Sequence, residues 1–561
     1  MTTLLRITSR FPLSIVLLCL ITCPAIAIEP VATDEIDSVF SDWSGIDTPG
    51  AVVGIFLDGE ILYSEAFGAA NLEHSAPINL DTKFNIASMA KTFTAFAVLL
   101  LEKQGKLSLD DDIRTYLPEI YAFGEVITID HLLHHSSGLR NWGTLFALSG
   151  VSEDDSVDSA DILRLISRQR ELNHSPGDRA TYSNTNYFLL SLIVERITGQ
   201  TFREFTTENI FSPLGMSNTF YSDDQNEIVT NRAWGHSIID GVSFKLDMPQ
   251  HSDVGSSNLL ITMNDFAIWE RNLTNPVIGS PELIDKLYSR DEFNNGNTSN
   301  YARGTGYGTY RGLMLRGMTG GEPGYRSSRT QFIDSGLSIV IFANATFDVF
   351  TPFTQIANLY LSDEFSAAEA VPDTTSGKFV PISSADLIDL AGAYREINSY
   401  NVVSVFADSA NGIVVISGLG LFYRLKPVGL GNFESVVASD NTRVEFDTTS
   451  SKSIRILQNE VPIFSGAELR NIELTPDYNR QFVGTYHSDE LDSSFEIELR
   501  DDGLYRTKEG MPDRKLDGQF EDLFQAEGGT GTMLFDRNSE NKISGFRISV
   551  ANIFNVLYQK Q

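Results

Sequence analysis

Residues 84–95 read FNIASMAKTFTA, and the reading of the fold turns on them. Ser88-Met89-Ala90-Lys91 leads into an apolar run, Thr92 to Glu102, that stops near Gly105 and has the character of a buried helix. On a helix, residues three apart share a face, so Lys91 stands one turn from Ser88. That spacing meets a chemical need. A serine hydroxyl is a weak nucleophile, and an amine kept neutral by a desolvated pocket and neighbouring positive charge can take its proton. The helix N-terminus adds partial positive charge beside a developing oxyanion. The chain also holds a control: Ser539-Glu540-Asn541-Lys542 has the same spacing in a polar turn with no apolar helix behind it, and is read as chemically silent.

Two further stretches could serve that pair. Tyr182-Ser183-Asn184 follows a Pro-Gly turn and precedes an apolar helix, Tyr187 to Ile197, which stops at Gly199. A tyrosine on such a loop can shuttle protons as phenol or phenolate when a nearby cation lowers its pKa, and Asn184 can donate to and accept from a substrate amide. The other stretch is GMTGGEPGY at 317–325, between an arginine-rich run and the strand-like Ser338 to Asn344. Four glycines and a proline make an ordinary turn unless the backbone must approach something closely.

Around these stretches, residues 28–365 alternate strand and helix patterns. Ala51 to Leu57 and Glu60 to Phe67 flank Asp58-Gly59, a pair suited to a type I′ hairpin, and Thr201-Phe202-Arg203-Glu204 reads as a capping box. Strands at both ends with helices between predict an α+β domain whose sheet joins the two ends of the region. Residues 366–381 are small, polar and proline-containing, as in a linker. Beyond them come short strands and turns with two similar openings, LAGAYREI at 390–397 and FVGTYHSDEL at 482–491. They predict two β-barrel-like modules, 382–470 and 471–561, the alternative being one larger sandwich.

The order of FNIASMAKTFTA, ITIDHLLHHSSGLRN, YSNTNYFLLSLIVERITG, VGSSNLLITMNDFAIWERNL and GMTGGEPGYRS resembles the penicillin-recognising serine hydrolases, peptidase family S12. That group contains class C β-lactamases, D-Ala-D-Ala carboxypeptidases, D-aminopeptidases and related esterases. The resemblance spans about residues 35–350, and the C-terminal modules resemble accessory barrels that some of these enzymes carry. It implies a β-lactamase/transpeptidase-like domain followed by two small all-β domains. It also implies Ser88 as acylated nucleophile, Lys91 as its activating partner and Tyr182 as acid/base, with Asn184, Thr319, Gly320 and Gly321 on the substrate. The backbone N–H groups of Ser88 and Gly321 would form the oxyanion hole, with no metal and no cofactor. The substrate would be an amide or ester: a peptide with D-residues, a small ester or a β-lactam.

Met318 departs from the pattern, because the family usually has Lys-Thr-Gly or His-x-Gly where this chain has Met318-Thr319-Gly320. A thioether neither lowers a tyrosine pKa nor attracts a carboxylate. Either the enzyme acylates with an altered substrate preference, or it survives as a binder of peptide or cell-wall fragments. A dedicated β-lactamase is the less expected outcome. Arg316 and Arg326 are candidate substitutes, and Arg316 shares the face of Met318 on a regular strand.

Residues 1–27 have a basic start at Arg6 and Arg10, an apolar core from Pro12 to Ile21 and Ala25-Ile26-Ala27 at the cleavage positions. This is the pattern of a secretory signal peptide, and the mature chain is expected to be exported, without an integral membrane segment. Thr22 is a poor residue before an acylated cysteine, which disfavours a lipoprotein. Cys19 and Cys23, the chain's two cysteines, both fall in that leader, so the mature chain has no disulfide. Losing the two arginines takes the net charge from −32 to −34, which repels phosphate backbones and argues against nucleic acid. The expected partner is a small-molecule or peptide substrate, and no oligomeric state follows from the sequence. His131, His134 and His135 read as a structural turn rather than metal ligands. Asp253, Asp265 and His236 read as loop and cap residues, and Arg303 to Gly308 as a flexible turn.

Overall fold

The computed structural model describes residues 31–365 and 380–561, less residues 44, 153, 242, 381, 397–399, 409–411, 418–421, 430, 436–441, 449–451, 459 and 530. The leader and nearly all of the linker lie outside the described residues. A six-stranded antiparallel sheet organises the first unit, in the order Gly306–Tyr310, Leu313–Glu322, Tyr325–Phe332, Leu337–Ala343, Ala51–Leu57, Glu60–Phe67. It joins the two ends of the region, with Ala51 opposite Ala343 and Leu57 opposite Leu337. The hairpin between the last two strands turns at Asp58 and Gly59, whose φ values of 49° and 82° suit a type I′ turn.

The strands Leu337–Ala343 and Ala51–Leu57 are almost wholly apolar because both faces of the sheet are covered there. Val52, Phe56, Val340 and Phe342 pack against the helical half, while Val53, Ile55, Ile339 and Ile341 pack with the terminal helices Thr33–Val39 and Phe350–Leu361. In the helical half, Ala90–Lys103 lies against Asn184–Thr198, and the Thr201–Glu204 capping box forms. Arg303–Gly308 is not a free turn. Arg303 ion-pairs with Asp130 (2.8 Å), and a Cβ on Gly304 would lie 2.7 Å from the Thr92 backbone, so this glycine lets the chain press on the helix that follows Ser88.

The C-terminal region holds two closed eight-stranded barrels, Gly392–Glu468 and Gly484–Lys560, rather than one sandwich. The similar openings have a shared structural role. Tyr394 donates its hydroxyl to the Leu390 carbonyl (2.8 Å), and Tyr486 does the same to Phe482 (2.7 Å), plugging each barrel with a buried tyrosine that needs a partner for its OH. The second barrel is docked on the first unit. Leu145, Leu148 and Leu165 share its apolar core, and buried Arg140 pairs with Glu490 (2.5 Å) while donating to the carbonyls of Phe554 and Asn555.

Candidate active site

Ser88 sits in a 3-10 turn, Ala87–Met89, that runs directly into the helix Ala90–Lys103. The preceding Ala87 has φ 49°, an unfavourable left-handed conformation for a residue with a Cβ, held by a bond from its N–H to the Asn85 side chain (2.9 Å). Lys91 is completely buried, with Nζ 3.0 Å from Ser88 Oγ and 2.6 Å from the Ser256 carbonyl. Burial lowers its pKa to about 7, although the charges of Asp253 and Glu322 pull it back up. A substantial fraction of the amine is therefore neutral near pH 7 and able to accept a proton.

Tyr182 donates its hydroxyl to Ser88 Oγ (2.7 Å), and Lys91 Nζ lies 4.9 Å from the centre of its ring. Burial pushes this phenol above its ordinary pKa, more than the Ser88 bond lowers it, and Glu322 adds to the rise. Of the two forms expected from the sequence, burial favours the phenol over the phenolate. Behind it, the buried His135 ring lies tilted 4.5 Å away and accepts from Asn186 Nδ2 at 3.0 Å, a structural role. On the barrel side, Asn552 donates to the Tyr182 carbonyl at 2.8 Å. Asn184 opens the next helix with its N–H on Asn141 Oδ1 (2.9 Å), and its own Oδ1 is buried without a partner in the wall of the cleft.

The strand Leu313–Glu322 forms the other edge. A Cβ on Gly320 would lie 2.4 Å from the Ile86 carbonyl oxygen and 3.0 Å from the Ala87 Cβ, so glycine is what allows the strand to touch the Ser88 turn. Ser327 Oγ donates to the same carbonyl (2.7 Å) and pins the approach. Gly321 lines a cleft of about 710 Å³ with Asn184, Trp142, His251, Glu322 and Arg326, while Thr319 is exposed on the same strand. Met318 faces away from this cleft, into a small void beside Phe93, Trp269 and Arg329. Arg316 does share its face, but its guanidinium stacks 3.5 Å over the Tyr288 ring and bonds Gln331, so it supplies no charge at Ser88. Arg326 does line the cleft, held to the Glu322 and Tyr325 carbonyls at 2.9 and 2.7 Å.

Asp253 lies in a loop, as expected, but is fully buried there: it accepts from Ser256 Oγ and contacts His251 Nδ1 at 2.5 Å. His251 Nε2 in turn lies 3.0 Å from Glu322 Oε2. Sequence reading missed His251, Glu322 and Asn552, since only folding brings these distant segments together. Asp265 and His236 do hold loops, Asp265 accepting from Asn218 and Thr219 and His236 contacting the Asn344 carbonyl. His131 caps its own helix. Asp130, His134 and Asp291 gather within 4.8 Å, with the Arg303 guanidinium already on Asp130. Lys542 of the control motif is exposed and paired with Glu540.

A serine hydroxyl between a buried amine and a phenol, at the seam of an antiparallel sheet and a helical half, fits a serine hydrolase of the S12 type. The chain belongs to the beta-lactamase family, whose model matches residues 37–359. It is similar to the D-aminopeptidase of Cereibacter sphaeroides, 24% identical over 469 residues, 82% of this chain and 84% of that one. A D-aminopeptidase of Brucella anthropi is 24% identical over 470 residues, 82% of this chain and 83% of that one. A penicillin-binding protein of Bacillus subtilis is 27% identical over 310 residues, 51% and 66%. The fold is that of an octameric penicillin-binding protein homologue from Pyrococcus abyssi, with a TM-score of 0.52 and 20% identity, covering 78% of this chain and 100% of that one.

Proposed function

We propose that this chain is an exported hydrolase that cleaves an amide or ester through an acyl-enzyme at Ser88, acting on D-residue peptides or amides, small esters or β-lactam-like rings. The observation that carries the reading is the position of Ser88 Oγ, 3.0 Å from the Lys91 amine and 2.7 Å from the Tyr182 hydroxyl. Ser88 Oγ attacks the carbonyl carbon, and its proton passes to Lys91 Nζ. The N–H groups of Ser88 and Gly321 take the oxyanion. As the intermediate collapses, the phenol of Tyr182 gives its proton to the departing nitrogen or oxygen and recovers one from Lys91. Water then attacks the acyl ester by the reverse proton path, releasing the acid and Ser88. Asn184, with a free amide oxygen in the cleft wall, would accept from a substrate amide N–H. The two D-aminopeptidase relatives favour peptides with a D-residue among these substrates.

Intact-mass measurement tests both halves of the reading. Full-length protein recovered from an export-competent host should lack residues 1–27 and gain one fluorophosphonate adduct, absent in Ser88→Ala. An unmodified wild type, or an adduct that persists in Ser88→Ala, refutes the acyl-enzyme. A retained leader refutes export.

A further inference from the structure

The trio at Ser88 leaves one electrostatic question open. Asp253 and Glu322 both act on Lys91, and two uncompensated carboxylates would hold the amine protonated, unable to take the serine proton. No cation stands at position 318 to offset them, because Met318 is packed among apolar groups, and Arg316 is engaged with Tyr288. The residue that does lie between the carboxylates is His251. Its Nδ1 is 2.5 Å from Asp253 Oδ1 and its Nε2 3.0 Å from Glu322 Oε2. With a carboxylate on each side, the ring is favoured as a doubly protonated imidazolium, hydrogen-bonded to Glu322 and in ion-pair contact with Asp253.

We propose that His251, locked as an imidazolium between Asp253 and Glu322, is the cation that balances these two carboxylates and sets the proton equilibrium of Lys91. This rests on the acyl-enzyme reading above. The contacts run without a break from the cleft to the amine: His251 to Asp253, Asp253 to Ser256 Oγ, and the Ser256 carbonyl to Lys91 Nζ at 2.6 Å. Burial works against the charged ring, but Glu322 and Asp253 outweigh it and hold its pKa well above the ordinary value. The charged groups around it are Asp253 on its own segment, Glu322 at the end of the strand Leu313–Glu322, Lys91 on the helix after Ser88 and Arg326 on the neighbouring strand. Asp155 and Asp247 line the rest of the cleft. Trp142 meets the ring edge-on at 5.5 Å, and Asn258 Nδ2 approaches it at 3.3 Å; both are neutral. His251 is therefore a positioning residue. It touches neither Ser88 nor Tyr182 and acts through the field on Lys91.

The test is the pH dependence of Ser88 labelling by a fluorophosphonate, followed by intact mass from about pH 5.5 to 10, a span that brackets the Lys91 titration. In that reaction Ser88 Oγ bonds phosphorus, fluoride leaves and the hydroxyl proton passes to Lys91. In full-length His251→Gln the rising limb of the profile should move up by about one pH unit, as two unpaired carboxylates stabilise the ammonium. Adding Glu322→Gln should bring the limb back, and Glu322→Gln alone should move it below the wild type. A limb that stays put in both single variants, or one that the second substitution fails to restore, overturns the proposal. Wild type that labels at no pH overturns the acyl-enzyme instead, so the two failures are distinct.

Discussion

Lys91→Met should change stability and activity in opposite senses. Burial holds the Lys91 pKa at about 7 in the folded protein against 10.5 for an exposed lysine, even with Asp253 and Glu322 pulling it up. Between those values the unfolded chain binds a proton that the folded chain does not, so stability rises by about 1.4 kcal/mol per pH unit. The cost is full below pH 7, shrinks through the window and is gone above about 10.5; the gap corresponds to roughly 5 kcal/mol. Methionine fits a similar volume with no proton to lose, at the expense of about 1–2 kcal/mol for the bonds to Ser88 and the Ser256 carbonyl. Lys91→Met should therefore be more stable than wild type by about 3 kcal/mol near pH 7, with the difference shrinking by about 2.7 kcal/mol over two pH units above it. His251, whose folded pKa is raised, contributes in the opposite sense. Its stabilisation is full below about 6.5 and lost as pH rises through the folded value, and it is present in both proteins. The assay is urea unfolding read by tryptophan fluorescence. All four tryptophans, 43, 142, 234 and 269, lie in the first unit, so the barrels do not contribute. Labelling of Ser88 should fall by about 10²–10⁴ in the same variant. A stability difference that does not change with pH would refute a buried, largely neutral amine.

Two substitutions on the strand Leu313–Glu322 make further predictions. In Gly320→Ala the new methyl would lie 2.3 Å from Ser327 Oγ and 2.4 Å from the Ile86 oxygen. The strand must back away from the Ser88 turn, and labelling should drop by about 10²-fold, the scale of losing one oxyanion donor; a wild-type rate would show that the close approach is dispensable. Met318→His, which restores a family-like residue, should not raise the labelling rate, because the side chain enters an apolar void beside Phe93, Trp269 and Arg329. A buried neutral imidazole there should instead cost about 1–3 kcal/mol in the same urea assay, and a rate gain with a shifted pH profile would place position 318 back in the site.

By itself the sequence determined what is local or repeated. Lys91 reaches Ser88 because both lie within one turn of chain, so their meeting needs only a helix. Asp58-Gly59, the Thr201–Glu204 box and the Gly199 stop are likewise decided by backbone preferences of a few residues. The two tyrosine-bearing openings at 394 and 486 identified two modules because each tyrosine bonds a carbonyl only four residues back. Tertiary structure decided everything that depends on which way a strand faces or which distant segment arrives. Arg316 and Met318 share a face as alternation requires, but packing against Tyr288 and Trp269 turns both from the cleft. Asp253 is a loop acid, as the sequence reads, but only the fold sets His251 between it and Glu322, some 70 residues further along the chain. The Ser88–Lys91 pair was legible because the two are near neighbours in sequence; the charges around Lys91 were not, because Coulomb interactions follow distance in space.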